Sequence, residues 1–130
     1  MGLDKLEKLL NCSWNKETCS PGLRDKWDET NPSLGQCAIT ALVVNDYFGG
    51  KIMRCMTSSG SHYYNLIDDK IVDLTKGQFL GEIPLYEEGK ERTREYLLGN
   101  EDTKSRYVML CNALNVLIES GKAVKVKYKG

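Results

Sequence analysis

Cys37 stands where the turn-forming run Asn31-Pro32-Ser33-Leu34-Gly35-Gln36 gives way to an apolar stretch of helical character, and His62, the only histidine, follows in a strand-like run. Residue types in that order suit nucleophilic catalysis. A thiolate attacks where a thiol does not, and the first-turn N–H groups of a helix favour the anion at such a position. The imidazole would hold the thiolate as an ion pair and later protonate a leaving amine, while a carboxylate would fix the tautomer of the ring. Asp73, on the next strand-like run, is the candidate for that third role. An attacked carbonyl oxygen gathers negative charge. Helix N–H groups beside Cys37 and the side chain of Gln36 are the candidates to receive it, with Asn65 and Gln78 as further polar groups to orient His62 or the carbonyl.

The elements that must position these residues follow from periodicity. Leu3, Leu6, Leu9 and Leu10 recur at helical spacing, which predicts an amphipathic helix from residue 3 to about residue 12. Residues 13 to 33 are polar, with turn signals at Ser20-Pro21-Gly22 and Asn31-Pro32-Ser33; they predict an ordered loop pinned by Trp14, Leu23 and Trp27, with one short helix around Leu23 to Trp27. Residues 36 to 48 are apolar on several sides and end at Gly49-Gly50, as expected of a helix buried on most of its circumference. Ser33 is the expected N-cap, placing Cys37 about one turn in.

Three strand-like runs come next, Lys51 to Met56, His62 to Ile67 and Lys70 to Thr75, and they predict an antiparallel meander. A turn centred between Asp68 and Asp69 pairs Tyr64 with Asp73 and His62 with Thr75, so that all four share one face and Asp73 lies diagonal to His62. A three-residue turn would reverse that relation. Helical signals return over Arg92 to Leu98 and Thr103 to Ser120, and Val124, Val126 and Tyr128 alternate with lysines as in a short terminal strand.

Composition narrows the classes. At 130 residues a single α+β domain is expected, large enough for one core and a cleft at its edge. Basic and acidic residues number 18 each, without a basic stripe, which argues against nucleic-acid binding. The charged run Asp4-Lys5-Leu6-Glu7-Lys8 does not suit a signal peptide, no apolar run approaches membrane-spanning length, and Leu6 departs from the myristoylation pattern. A cytoplasmic protein without membrane association is expected. Five cysteines with no Cys-x-x-Cys pair argue for free thiols. Cys12, Cys19, Cys37 and His62 have the donor atoms for zinc but match no common ligand spacing, so no metal or other cofactor is expected.

The run from Asn31 to Gly50, followed by Ser61-His62-Tyr63-Tyr64-Asn65 and Asp73-Leu74-Thr75, resembles the bacterial YunG-like family, with similarity extending through Arg94-Glu95-Tyr96-Leu97-Leu98 and Ser105-Arg106-Tyr107. More distantly, a helix-borne Cys, then a strand His, then Asp in an Asp-x-Thr context is similar to the papain-like and transglutaminase-like superfamily. That second resemblance implies a papain-like core, with N-terminal and central helices packed on a small antiparallel sheet and further helices at the C-terminus. It also implies acyl transfer through a thioester on Cys37, with His62 as base and acid and Asp73 as orienting group. The substrate would be a peptide or other amide.

Plainer readings stand beside these. Cys55 and Cys111 suit small buried hydrophobes. Asp73 is equally suited to cap a turn or to pair with Lys70. Tyr63 and Tyr64 suit half core and half cleft wall, and Arg92, Arg94 and Arg106 a solvated helix face. The alternative function is a non-enzymatic module that keeps the fold and binds a protein partner.

Overall fold

The structure is a computed structural model that describes residues 1–121 in full and the backbone of 122–129. Helix α1 (Leu3–Ser13) is followed by a 3-10 turn (Pro21–Lys26) and helix α2 (Cys37–Phe48). Strands β1 (Lys51–Thr57), β2 (Gly60–Ile67) and β3 (Lys70–Val72) come next, then 3-10 turns at Lys76–Phe79 and Tyr86–Glu88, strand β4 (Lys90–Arg92), and helices α3 (Arg94–Leu98) and α4 (Glu101–Lys129). The strands form one antiparallel sheet in the order β3-β2-β1-β4. The fold is α+β, helices on a small four-stranded sheet. The terminal strand expected over Val124, Val126 and Tyr128 lies outside the fully described residues, within the span of α4.

Helix α2 is the centre of the molecule because its sequence leaves it no polar stripe. Every residue from Ile39 to Val44 is buried. One side of α2 meets Leu6, Leu10 and Trp14 of the N-terminal segment together with Leu110 and Leu114 of α4, while Ala41 and Leu42 turn toward Ile52 of β1 and Leu97 of α3. Each buried Leu, Ile or Val contributes about 1.5–3 kcal/mol, so this one helix accounts for a large share of the core's stabilisation. Two polar ties set its rotation: Trp14 Nε1 donates to Thr40 Oγ1 at 2.9 Å, and Asn65 Nδ2 donates to the Ala41 carbonyl at 3.0 Å.

The Asp68-Asp69 turn has the geometry its residues permit. Both aspartates take left-handed φ, 50° and 63°, as a two-residue hairpin turn of the primed kind requires. The ladder then pairs Ile67 with Lys70 and Asn65 with Val72, the register read from the sequence, although β3 ends at Val72 and residues 73 to 75 curl away.

Three local expectations need correction. Helix α2 starts at Cys37 itself, with Gln36 as N-cap and no side-chain cap, because Gly35 takes a left-handed φ of 71° and breaks any helix begun at Ser33. The expected helix over Arg92–Leu98 is divided: Lys90–Arg92 pairs with β1 as an edge strand, and α3 begins after Thr93, whose side chain accepts from the Tyr96 N–H. Arg94 and Arg106 are not a solvated face. Arg94 ties the Leu42 carbonyl at 3.1 Å and Asp46 at 2.9 Å, and Arg106 is only 5 % exposed.

Candidate active site

Cys37 occupies the first helical position of α2, where backbone N–H groups have no intrahelical acceptor and Gln36 adds no side-chain cap. The loop before it is held in place from several sides. Ser20 N–H donates to the Gly35 carbonyl at 2.9 Å, and Gly35 N–H donates to Gln78 Oε1 at 3.2 Å. Gly35 is also the only residue that fits, since a Cβ there would meet Cys19 Sγ at 2.5 Å and its φ lies in the region that favours glycine. Cys37 is partly exposed and forms part of the floor of a cleft of about 630 Å³, walled by Ala38, Tyr63, Gln78, Phe79 and Tyr96.

His62 lies on β2 directly opposite Cys55 of β1 and is 0 % exposed. Its Nε2 is 2.6 Å from Asp73 Oδ2. Phe79 closes over the ring edge-on, with centroids 4.7 Å apart. Nδ1 is left without a hydrogen-bond partner, and the neighbouring Cys37 thiol is among the groups that act on the ring's protonation. Catalytic hydrogen bonds are often long in unliganded sites and tighten when substrate binds. Burial acts to lower the imidazolium pKa. Asp73, bound at 2.6 Å, and then the nearby Cys37 outweigh that and raise it to about 9. The geometry therefore favours a charged ring at neutral pH.

Asp73 is saturated by donors. Oδ2 receives His62 and, at 2.6 Å, the Tyr86 hydroxyl, while Oδ1 receives the Thr75 N–H at 3.2 Å and the Thr75 hydroxyl at 3.3 Å. It does not pair with Lys70, which belongs to the exposed hairpin end. Tyr86 is the member that sequence reasoning missed. Burial and its bond to Asp73 push its phenol pKa up, so it stays a donor. Tyr64 Oη in turn donates to the Tyr86 carbonyl at 3.1 Å, and the hydroxyl of Tyr64 fills the space in which a Cβ at Gly89 would sit.

The remaining polar candidates divide. Gln78 faces the cleft, and since its Oε1 must serve the Gly35 N–H, its Nε2 is the free atom and has no partner. Gln36 is turned away, with Nε2 donating to the Asn15 carbonyl at 3.1 Å, and Asn65 is spent on Ala41; neither lines the cleft. Cys55 is buried, and burial followed by the charges of Asp73 and Cys37 raises its thiol to about 11, which makes it inert. Among the described residues, no three His, Cys, Asp or Glu side chains are arranged to hold a metal ion.

Comparison with known proteins places the chain. The family model described as YunG protein matches residues 2–118, a span that holds the whole of this cleft. The chain is 34% identical over 100 residues to the "Uncharacterized protein YunG" of Bacillus subtilis (strain 168), the match covering 77% of this chain and 83% of that protein. No solved structure matches.

Proposed function

The chain belongs to the YunG family, and from that premise we propose that it is a cysteine-dependent hydrolase or acyltransferase, of peptidase, amidase or deamidase type, acting through a thioester on Cys37. One observation carries the reading: a cysteine at the start of a buried helix, open to a cleft, is among the groups that act on the only histidine, whose Nε2 is held by a buried aspartate and whose Nδ1 is unspent. The order of helix Cys, strand His and following Asp is similar to that of the papain-like and transglutaminase-like enzymes, and we take the core to be papain-like. We take its setting to be the cytoplasm.

The chemistry runs in two steps. The Cys37 thiolate attacks an amide carbonyl carbon, a C–S bond forms, and the oxygen becomes an oxyanion. The N–H of Cys37, at the first helical position, and the unpartnered Nε2 of Gln78, a residue that lines the cleft, are the donors suited to receive that charge. The C–N bond then breaks as His62 gives its Nδ1 proton to the leaving amine. In the second step water, or an acceptor amine, loses a proton to His62 and attacks the thioester; the C–S bond breaks and the thiolate–imidazolium pair is restored. Asp73 keeps the ring oriented throughout.

A second reading has its own observation. Leu80 and Ile83 are 84% and 78% exposed on the segment that follows Phe79, which suits a binding module that presents this segment to a protein partner. Acyl capture separates the two. Incubated with p-nitrophenyl acetate, the enzyme is expected to release a burst of p-nitrophenol and carry an acetyl group on Cys37, located by peptide mass mapping. Cys37→Ser should abolish the adduct and His62→Ala should slow it by about 100-fold or more. An adduct spread evenly over the five cysteines and indifferent to His62→Ala would favour the binding module.

A further inference from the structure

The cleft has a charge pattern that the catalytic residues do not explain. Of the residues lining it, Arg106 alone carries a formal charge, and none is Asp or Glu. Two helices also begin at its walls. One is α2, uncapped by a side chain at Gln36; the other is α4, whose first turn is led by Asn100, with Oδ1 accepting from the Thr103 N–H at 3.0 Å. The start of α2 favours negative charge, while Glu101 and Asp102 in the first turn of α4 offset the positive end of that helix.

Arg106 itself is built in rather than waving in solvent. It is 5 % exposed, its Nε donates to Asp102 Oδ2 at 2.7 Å, and its Nη1 donates to the Thr18 carbonyl at 3.0 Å. Nη2 makes no hydrogen bond among the described residues, and Arg106 is one of the residues that line the cleft. A buried guanidinium that keeps one donor unspent at a cavity wall is a ready receptor for an anion. Asp102 already offsets part of the charge, so the site suits a singly charged group. A dianionic phosphate would leave negative charge uncompensated.

Resting on the reading of Cys37 as nucleophile, we propose that the cleft takes acyl substrates bearing a free carboxylate, received by Arg106 Nη2 beside Ser20, Asn100 and Thr103. The substrate class is then an amide of a carboxylate-bearing compound, such as a short peptide or an amino-acid side-chain amide. Arg106 is the binding residue, and the chemistry stays with Cys37.

Paired alkylating reagents test this. Iodoacetate and iodoacetamide deliver nearly the same electrophile with and without a carboxylate, and the ratio of their rates at Cys37, mapped by mass spectrometry, reads the affinity of the cleft for that group. The ratio is expected to be higher in the native chain than in the urea-unfolded chain, to fall roughly tenfold in Arg106→Gln, and to rise in Asp102→Asn, which frees charge on Arg106 without deleting a buried side chain. A native ratio equal to the unfolded one and unmoved by Asp102→Asn would overturn the carboxylate site, even with Cys37 fast toward iodoacetamide. Cys37 slow toward both reagents would instead overturn the nucleophile reading, and this one with it.

Discussion

Asp73 is the residue on which the geometry of the site turns, because it fixes one face of His62 and is itself fixed by three further donors. Replacing it with Ala removes the anion beside a buried imidazolium, and about 3–5 kcal/mol of stability should go with it. Tyr86→Phe loses one hydrogen bond and should cost only about 1–2 kcal/mol, while allowing Asp73 and His62 to drift. The His62 pKa, raised from its ordinary value to about 9, has a definite sign in folding. The folded state holds the proton more tightly than the unfolded state, so the stabilisation is complete below the unfolded value and is lost as pH rises through about 9. Urea midpoints measured from neutral to alkaline pH should fall in the native chain and lose much of that slope in Asp73→Asn. The relation of His62 to Asp73 was legible in the sequence because only a two-residue turn separates their strands. Tyr86 was not, since nothing near it in sequence marks it as a partner for a residue thirteen positions earlier.

At the scale of elements, the turn ahead of α2 decides where the sulfur stands. Gly35 combines a left-handed φ with contact against Cys19, Ser20 and the Gln78 side chain, so the loop before Cys37 is braced by two segments remote from it in sequence. Gly35→Ala introduces both strain and a clash. It should lower the melting temperature and slow Cys37 alkylation together, whereas Gly22→Ala, with open space around its Cβ position, should change neither. Helices α1 and α2 were readable from apolar spacing, as were the paired strands of the hairpin. Strand β4 was hidden because Lys90-Glu91-Arg92 has no apolar alternation; it forms because β1 offers an edge to pair with, and its charges keep that new edge solvated. The α2 start lies about one turn beyond the capping signal at Ser33 for a related reason, Gly35 overriding that signal. Gln78 could be named from sequence, but its bond to Gly35 depends on how the segment after β3 folds back.

Across the whole molecule, α2 carries Cys37, β2 carries His62 and the segment just after β3 carries Asp73, while α3 and the first turns of α4 line the far wall of the cleft. Balanced charge and scattered basic residues leave the surface without a dominant field, so the one formal charge among the residues lining the cleft, that of Arg106, is a local feature. Among the described residues, no helix is long and apolar enough to cross a membrane. The composition also supplies a clean probe, for the chain contains one histidine. Nitrogen-15 NMR of that single imidazole across a pH titration reads the proposed thiolate–imidazolium pair without ambiguity of assignment. A doubly protonated ring at neutral pH that titrates near 9 is expected, with a lower value in Cys37→Ala, which removes the neighbouring sulfur. A ring neutral at pH 8 in the native chain, titrating near the ordinary histidine value of about 6.5 and unmoved by Cys37→Ala, would contradict it.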